Sequence, residues 1–262
     1  MDVDELDRGP SVVSVVDTDV RGRIMVITLN RPEKRNALTG EMNVLLRNAF
    51  ERFADDPEVW VAVMAGNGQD FCAGMDLADV QRGGDQARPG GITRDFECWK
   101  PIVAAVQGNC LGGGLELALC ADIRIADTTT RLGSPEVKWG LMQGAGATQR
   151  LPRFVPFGVA LEMLFTGDPI DAARAERIGL VNVVRPAGTA LDGALAMAQH
   201  IASRAPLGVR RAKEAAFRGR DQAIADGLRT EELLSRTLAG TDDLARGRRA
   251  FLDRSQPEWG GG

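Results

Sequence analysis

Two glutamates and a run of glycines have the clearest capacity for chemistry in this chain. Gly112, Gly113 and Gly114 lead directly into a helical pattern over residues 115–121, and Glu116 falls in its first turn. Glycines at a helix start carry no Cβ, so a ligand can reach the unpaired N–H groups there. A carboxylate set in an apolar run is costly when charged, and burial would raise its pKa. Glu136 follows 20 residues later, after a strand-like stretch at 122–126 and the turn Ser134-Pro135. Two carboxyls beside a cluster of backbone donors suit acid–base chemistry on a substrate that develops an oxyanion. Spacing alone leaves a plainer reading open. A helix-start glutamate complements the helix dipole, and structural ion pairs mimic catalytic ones.

What the sequence lacks narrows the chemistry. His200 is the one histidine of 262 residues and tyrosine is absent, which removes His-based metal clusters, a His-containing triad and Tyr-Lys dehydrogenase chemistry. None of the four lysines completes a GxxxxGK[ST] loop, and no GxGxxG occurs. A net charge of −4 supplies no basic field, so no nucleic-acid partner is expected. Cys72, Cys98, Cys110 and Cys120 have no CxxC spacing, which fits reduced thiols in a cytoplasmic protein better than a disulfide or zinc framework. The acidic start has no apolar core of a signal peptide, and no apolar run nears 18 residues, so no membrane association is expected.

The elements that must position the two carboxyls follow from periodicity. Apolar alternation over 12–16 and 23–29, about Asp17-Thr18-Asp19, predicts a hairpin. Thr39 is placed to cap a helix whose Met42, Leu45, Leu46, Ala49, Phe50 and Phe53 recur at helical spacing. Residues 59–65 and 101–106 are continuous apolar runs, the pattern of strands buried on both faces. Strand-then-helix alternation through residue 127 argues for an α/β core with mainly parallel strands. Between these strands, Gly74 permits an unusual dihedral and Met75 can offer its N–H to a ligand. Residues 81–94, rich in Gly, Pro and charge, predict a mobile loop able to close over a long ligand. A second glycine-rich turn, Gly144-Ala145-Gly146, opens a short helix. From residue 187 the pattern is helical, over 187–203, 207–218, 222–239 and 243–252, with Pro206 and Gly240 as breakers.

Taken in order, these stretches resemble the crotonase superfamily, the enoyl-CoA hydratase/isomerase family. The resemblance rests on Asn30-Arg-Pro-Glu-Lys-Arg-Asn-Ala-Leu38, Phe71-Cys-Ala-Gly-Met-Asp-Leu77, residues 108–122, Ser134-Pro-Glu136, Gly140-Leu-Met-Gln-Gly-Ala-Gly146, Thr148-Gln-Arg-Leu151, Ala175-Glu-Arg-Ile-Gly-Leu-Val181 and Ala250-Phe-Leu-Asp-Arg254. It implies a ClpP/crotonase-like fold of repeated ββα units over residues 1–190, and a C-terminal helical region, 191–262, used for trimerisation, commonly as a dimer of trimers. It also implies an oxyanion hole made by the main-chain N–H groups of Met75 and Gly113, which would hold an acyl thioester carbonyl. Glu116 and Glu136 match the family's two glutamates, which hold water over the α,β double bond. CoA contacts are implied at Arg35, Ala37, Ala73, Gly74, Met75, Asp76, Leu77, Gly113 and Gly144. Arg31, Lys34 or Arg35 are candidates for the CoA phosphates.

The activity implied is reversible syn addition of water to a 2-trans-enoyl-CoA, giving 3-hydroxyacyl-CoA, as in fatty acid and other lipid metabolism. No cofactor is implied, because CoA belongs to the substrate. Two departures from the family pattern stand out: Gln143 replaces the usual proline before the Gly-Ala-Gly turn, and Ala147 replaces a glycine. That turn lines the acyl end of the pocket in relatives. A polar residue there keeps open a carnitinyl-CoA-type dehydratase, while the two glutamates argue against an isomerase, which usually keeps one acid. A non-catalytic acyl-CoA-binding relative is the reading of another class.

Overall fold

The computed structural model describes residues 14–82 and 89–261. A hairpin opens it: β1 (Val16–Arg21) pairs antiparallel with β2 (Ile24–Leu29). Its turn falls at Gly22, φ 59°, and not at Asp17-Thr18-Asp19, which lie inside β1 opposite Thr28, Ile27 and Val26. The polar run had read as a turn because β1 is an edge strand, exposed from Asp17 onward, where alternation carries no signal. Residues 12 and 13 of the expected strand lie outside the described residues.

Thr39 caps α1 (Gly40–Asp55) by accepting the Met42 N–H at 3.2 Å. Then come β3 (Val61–Gly66), the short α2 (Leu77–Gln81), β4 (Ile102–Val106), β5 (Asn109–Leu111), α3 (Gly113–Ala118), β6 (Ile123–Asp127) and β7 (Arg131–Gly133). After a 3₁₀ turn at Pro135–Trp139 follow α4 (Ala147–Phe154), α5 (Phe157–Thr166), β8 (Ile170–Asp171), α6 (Ala172–Arg177) and β9 (Val183–Arg185). Four helices end the chain: α7 (Ala190–Ala202), α8 (Pro206–Gly219), α9 (Ile224–Arg236) and α10 (Asp242–Asp253). Pro206 opens α8 in its first turn, where a missing N–H costs nothing.

The main sheet has the order β1-β2-β3-β4-β6-β9, parallel from β2 onward. Its continuous apolar strands are explained by two covered faces. Met25, Ile27, Ala62, Met64 and Ala104 point to one side, toward Leu46, Phe50 and Phe53 of α1 and Leu115 of α3. The alternate residues Ile24, Val26, Val61, Val63, Val103 and Ala105 meet Ala190, Ala194 and Ala198 of α7 on the other. α7 therefore forms the sheet's second layer. A small sheet, β5-β7-β8, lies beside the first and carries the chain into α3. Among the described residues, no helix is long and apolar enough to cross a membrane.

All six residues of α3 are buried, so its ends need partners from the protein. At the C-terminal end Arg124 supplies them. Arg124, 2% exposed, donates from its guanidinium to the α3 carbonyl of Ala118 (3.5 Å), to Ala121 O just beyond the helix (2.8 Å) and to Leu180 O (2.7 Å), and lies 4.3 Å from the centre of the Phe154 ring. Burial holds its pKa down to about 10, so it stays charged at neutral pH. Arg124→Met fills the volume but strands the Ala121 and Leu180 carbonyls, at about 1–3 kcal/mol each. Denaturant unfolding should show a loss of roughly 2–6 kcal/mol. A loss under about 1 kcal/mol would mean the guanidinium caps nothing of consequence.

Candidate active site

The site begins with two backbones brought unusually close. Segment 71–77 runs parallel to 109–113: Cys72 N–H donates to Asn109 O at 2.9 Å and Leu111 N–H to Cys72 O at 3.0 Å. A Cβ on Gly114 would collide with the Cys72 carbonyl oxygen. One on Gly74, whose φ is 104°, would lie 3.0 Å from Leu111 O. Glycine is therefore required at both positions for the approach itself.

That approach leaves two donors facing one place. Leu38 N–H donates to Gly74 O and Asp76 N–H to Leu38 O, so the pairing brackets Met75 and leaves its N–H outside the ladder. Gly113 is the first residue of α3, so its N–H has no partner in the helix. A Cβ on Gly113 would lie 3.7 Å from Met75 N, and one on Gly112 would lie 3.2 Å from Glu136 Oε1. Each glycine of the triplet thus has its own reason: approach to the carboxyl, room between the donors, and helix–strand contact.

Segment 30–38 holds this arrangement from outside. Arg35 and Asn36 both adopt left-handed backbone, φ 51° and 53°. The buried Asn36 side chain accepts from Arg31 N–H and donates to the carbonyls of Asn67 and Asp70. Ala73 N–H donates to Arg35 O. Arg31 donates to Asp76 at 2.8 Å and to Ala37 O at 3.0 Å, while Asp76 Oδ1 caps α2 through Ala78 and Asp79 N–H. The Arg31 bond holds the Asp76 carboxyl below its ordinary range.

Glu116 is 3% exposed, and both of its bonds fall on Oε1, from Ala145 N–H at 2.7 Å and Ala147 N–H at 3.1 Å. Oε2 is left for the cavity. Burial raises the Glu116 pKa, the two backbone donors oppose that, and the Glu136 carboxylate adds to the rise. Burial wins. Glu136, in the 3₁₀ turn after Ser134, has a buried Oε2 without a hydrogen-bond partner among the described residues. An unpartnered oxygen of this kind is what a substrate or water would satisfy.

Both carboxyls line one cavity of about 390 Å³ with Ala73, Gly74, Met75, Leu77, Gly112, Gly113 and Gly144. The structure does not bring Arg35, Ala37 or Asp76 to its wall. They act behind it, as just described, and the Arg31 side chain is taken up by Asp76 and Ala37. Gln143 does not line this cavity but lines a second one that shares Arg94, Met142 and Gly144 with it. It is 4% exposed and its amide donates to Ser134 O and Leu164 O, both at 3.3 Å, so it ties the turn down. The loop expected to be mobile over 81–94 is corrected in part: Gly90 N–H donates to the Asn43 side chain at 2.8 Å, and Ile92 and Thr93 are buried. Residues 83–88 lie outside the described residues. Sequence reasoning missed Pro89, Arg94, Trp139, Leu141, Met142 and Ala145 in the wall. The exposed apolar Trp139 and Met142 beside a glycine turn were the available signal.

Comparison with known proteins gives the family and the fold. A sequence model of the family described as enoyl-CoA hydratase/isomerase matches residues 19–262. The chain is 39% identical to (E)-benzylidenesuccinyl-CoA hydratase of Thauera aromatica, across 94% of this chain and 99% of that one. It is 38% identical to 2,3-dehydroadipyl-CoA hydratase of Escherichia coli K12, across 91% and 96%. The crystal structure of an enoyl-CoA hydratase from Mycobacterium tuberculosis H37Rv superposes with a TM-score of 0.91 at 37% identity, covering 95% of this chain and 99% of that one.

The opposition at Glu116 has a measurable sign. Glu136→Gln removes a neighbouring negative charge, so the Glu116 pKa should fall while staying above that of an exposed glutamate, because burial remains. Carboxyl-stretch infrared titration of wild type against the variant reads the shift. A Glu116 pKa that is unmoved or raised would show that the two carboxyls do not sense each other.

Proposed function

The chain belongs to the enoyl-CoA hydratase/isomerase family, and we propose that its cavity adds water reversibly and in syn fashion across the double bond of a 2-trans-enoyl-CoA. One observation carries the reading: two main-chain N–H groups, unpaired among the described residues, and two carboxyls line a single cavity. The thioester carbonyl sits on the N–H groups of Met75 and Gly113. Water attacks the β-carbon, and the electron pair moves to the carbonyl oxygen as an enolate. Each donor of such a pair is worth about 3–4 kcal/mol of transition-state stabilisation.

The carboxyls share one proton before and after the reaction. Glu116, fixed through Oε1, orients the water and takes its proton on Oε2. Glu136 delivers a proton to the α-carbon, and the water's proton restores the pair. Neither device suffices alone, because the α-proton of a thioester is too weakly acidic for a carboxylate to remove without the enolate being held. CoA enters as part of the substrate, and no cofactor takes part. The backbone of 73–77 borders its path, and the exposed Lys34 and Arg35 are nearest in sequence for its phosphates. Residues 191–262 mediate trimerisation in this proposal, supported by the exposed Ile224, Leu228, Leu233, Phe251 and Leu252 on α9 and α10.

A carnitinyl-type dehydratase is the second reading, since Gln143, though its amide is bound to Ser134 O and Leu164 O, lines the cavity beside the first. Purified protein should bleach the ultraviolet band of the conjugated thioester as crotonyl-CoA is hydrated. Glu116→Gln and Glu136→Gln should each lower kcat by about 10²–10⁴. Each variant should still bind acyl-CoA, because the oxyanion donors are untouched. A Glu136→Gln protein as fast as wild type would end this mechanism and favour a non-catalytic acyl-CoA binder.

A further inference from the structure

The cavity wall contains one cation that the hydration chemistry does not use. Arg94 is exposed, lines the cavity, and makes a single hydrogen bond among the described residues, from Nη2 to Gly144 O. No carboxylate among the described residues pairs with it. Four of the five guanidinium N–H donors are therefore open, in the planar arrangement that grips a carboxylate in two places.

The position of Arg94 follows from the order of groups along an acyl chain. The carbonyl carbon belongs to Met75 and Gly113, and the next two carbons to Glu116 and Glu136. Atoms beyond the double bond then reach the wall of Gly144, Ala145, Met142 and Arg94. There a second cavity, of about 510 Å³, adjoins the first and shares Arg94, Met142 and Gly144 with it. Gln143, Thr148, Gln149, Arg150 and Arg153 also line it, and among the described residues no Asp or Glu does. Arg150 is already bound to Ala145 O and Thr93 O, and Arg153 to Gln149 O and Asp221. Among the described residues, Arg153 meets a carboxylate and Arg150 two carbonyls, which leaves Arg94 with the most open donors of the three.

We propose that the physiological acyl group ends in a carboxylate beyond the double bond, and that Arg94 binds it. This deepens the hydratase reading and depends on it. An aliphatic chain leaves the guanidinium facing hydrocarbon, which costs its hydration with no return. A distal carboxylate replaces that water with charge-assisted hydrogen bonds.

The test compares mono-CoA thioesters of trans-2-alkenedioic acids of five to eight carbons with 2-trans-enoyl-CoA esters of the same lengths. Wild type should hydrate at least one dicarboxylic substrate with a kcat/KM about ten-fold or more above its neutral counterpart. Arg94→Met should bring that ratio close to one, Arg94→Lys should keep part of it, and Arg94→Glu should invert it. Neutral esters hydrated as well as or better than dicarboxylic ones would overturn the assignment of Arg94 and leave the hydratase reading standing. So would an unchanged ratio in Arg94→Met, with KM raised for both series, since Arg94 would then serve the CoA portion. Hydration of neither series would overturn the hydratase reading, and this proposal with it.

Discussion

Everything in the site depends on how near two stretches of main chain come to each other. Residues 72–75 and 110–114 are hydrogen-bonded neighbours, and a helix starts within that contact. A side chain at Gly74 or Gly114 would push them apart. The Met75 and Gly113 N–H groups would then no longer share one pocket. Hydrogen bonds give the pairing its direction, but the missing Cβ atoms set its distance. The outer layer reinforces this: Asn36 binds Asn67 and Asp70 behind the strand, and Arg31 grips Asp76 one residue beyond the donor. A donor preorganised in this way needs no rearrangement when charge develops, which is why such groups outperform water.

The helix that supplies one donor is also the means of supporting a buried carboxyl. α3 is six residues long and buried throughout, too short to be stable alone. Arg124 reaches the Ala118 carbonyl at one end and Ala121 O just past it, while the other end is left open to the cavity. Glu116 in the first turn gains from the helix dipole and from two backbone donors, yet burial still prevails and raises its pKa. A carboxyl whose pKa is raised in that way is a stronger base once ionised, which suits a group proposed to take a proton from water. The 144–147 turn is thus as much part of the acid–base device as the glutamate. Arg150, bound to the Ala145 and Thr93 carbonyls, secures that turn in place.

Much of this was legible in the sequence, because the signals were periodic or chemical. Continuous apolar runs announced the parallel strands, Thr39 its helix, and the glycine triplet with Glu116 the start of α3. What was not legible depends on tertiary context. Asp17-Thr18-Asp19 looks like a turn unless the strand is known to be an edge. β5, β7 and β8 have two or three residues each, too few to show a period. Gln143 and Arg94 are the sharper cases. Both are polar residues beside the same turn, yet Gln143 faces inward to carbonyls while Arg94 lines the cavity. Composition cannot distinguish the two, because side-chain direction there is set by packing 20 to 50 residues away in sequence, at Leu164 and Gly144.

Main-chain donors place a limit on what the rest of the pocket must do. A backbone N–H recognises any thioester carbonyl, and two carboxyls will hydrate any double bond held beneath them. Neither can tell one acyl group from another. Selectivity has to reside in walls that touch the remainder of the chain, here Trp139, Leu141, Met142 and Arg94. Apolar walls discriminate weakly, roughly 1–3 kcal/mol per methylene, whereas a charge left unpaired discriminates strongly. Three of these four residues can measure length and width. Only the guanidinium can reject a substrate for lacking a group, and it stands on a loop next to the turn that holds Glu116. Chemistry built from backbone and selectivity built from one side chain can then change independently, since Arg94 bonds to the Gly144 carbonyl and to neither carboxyl.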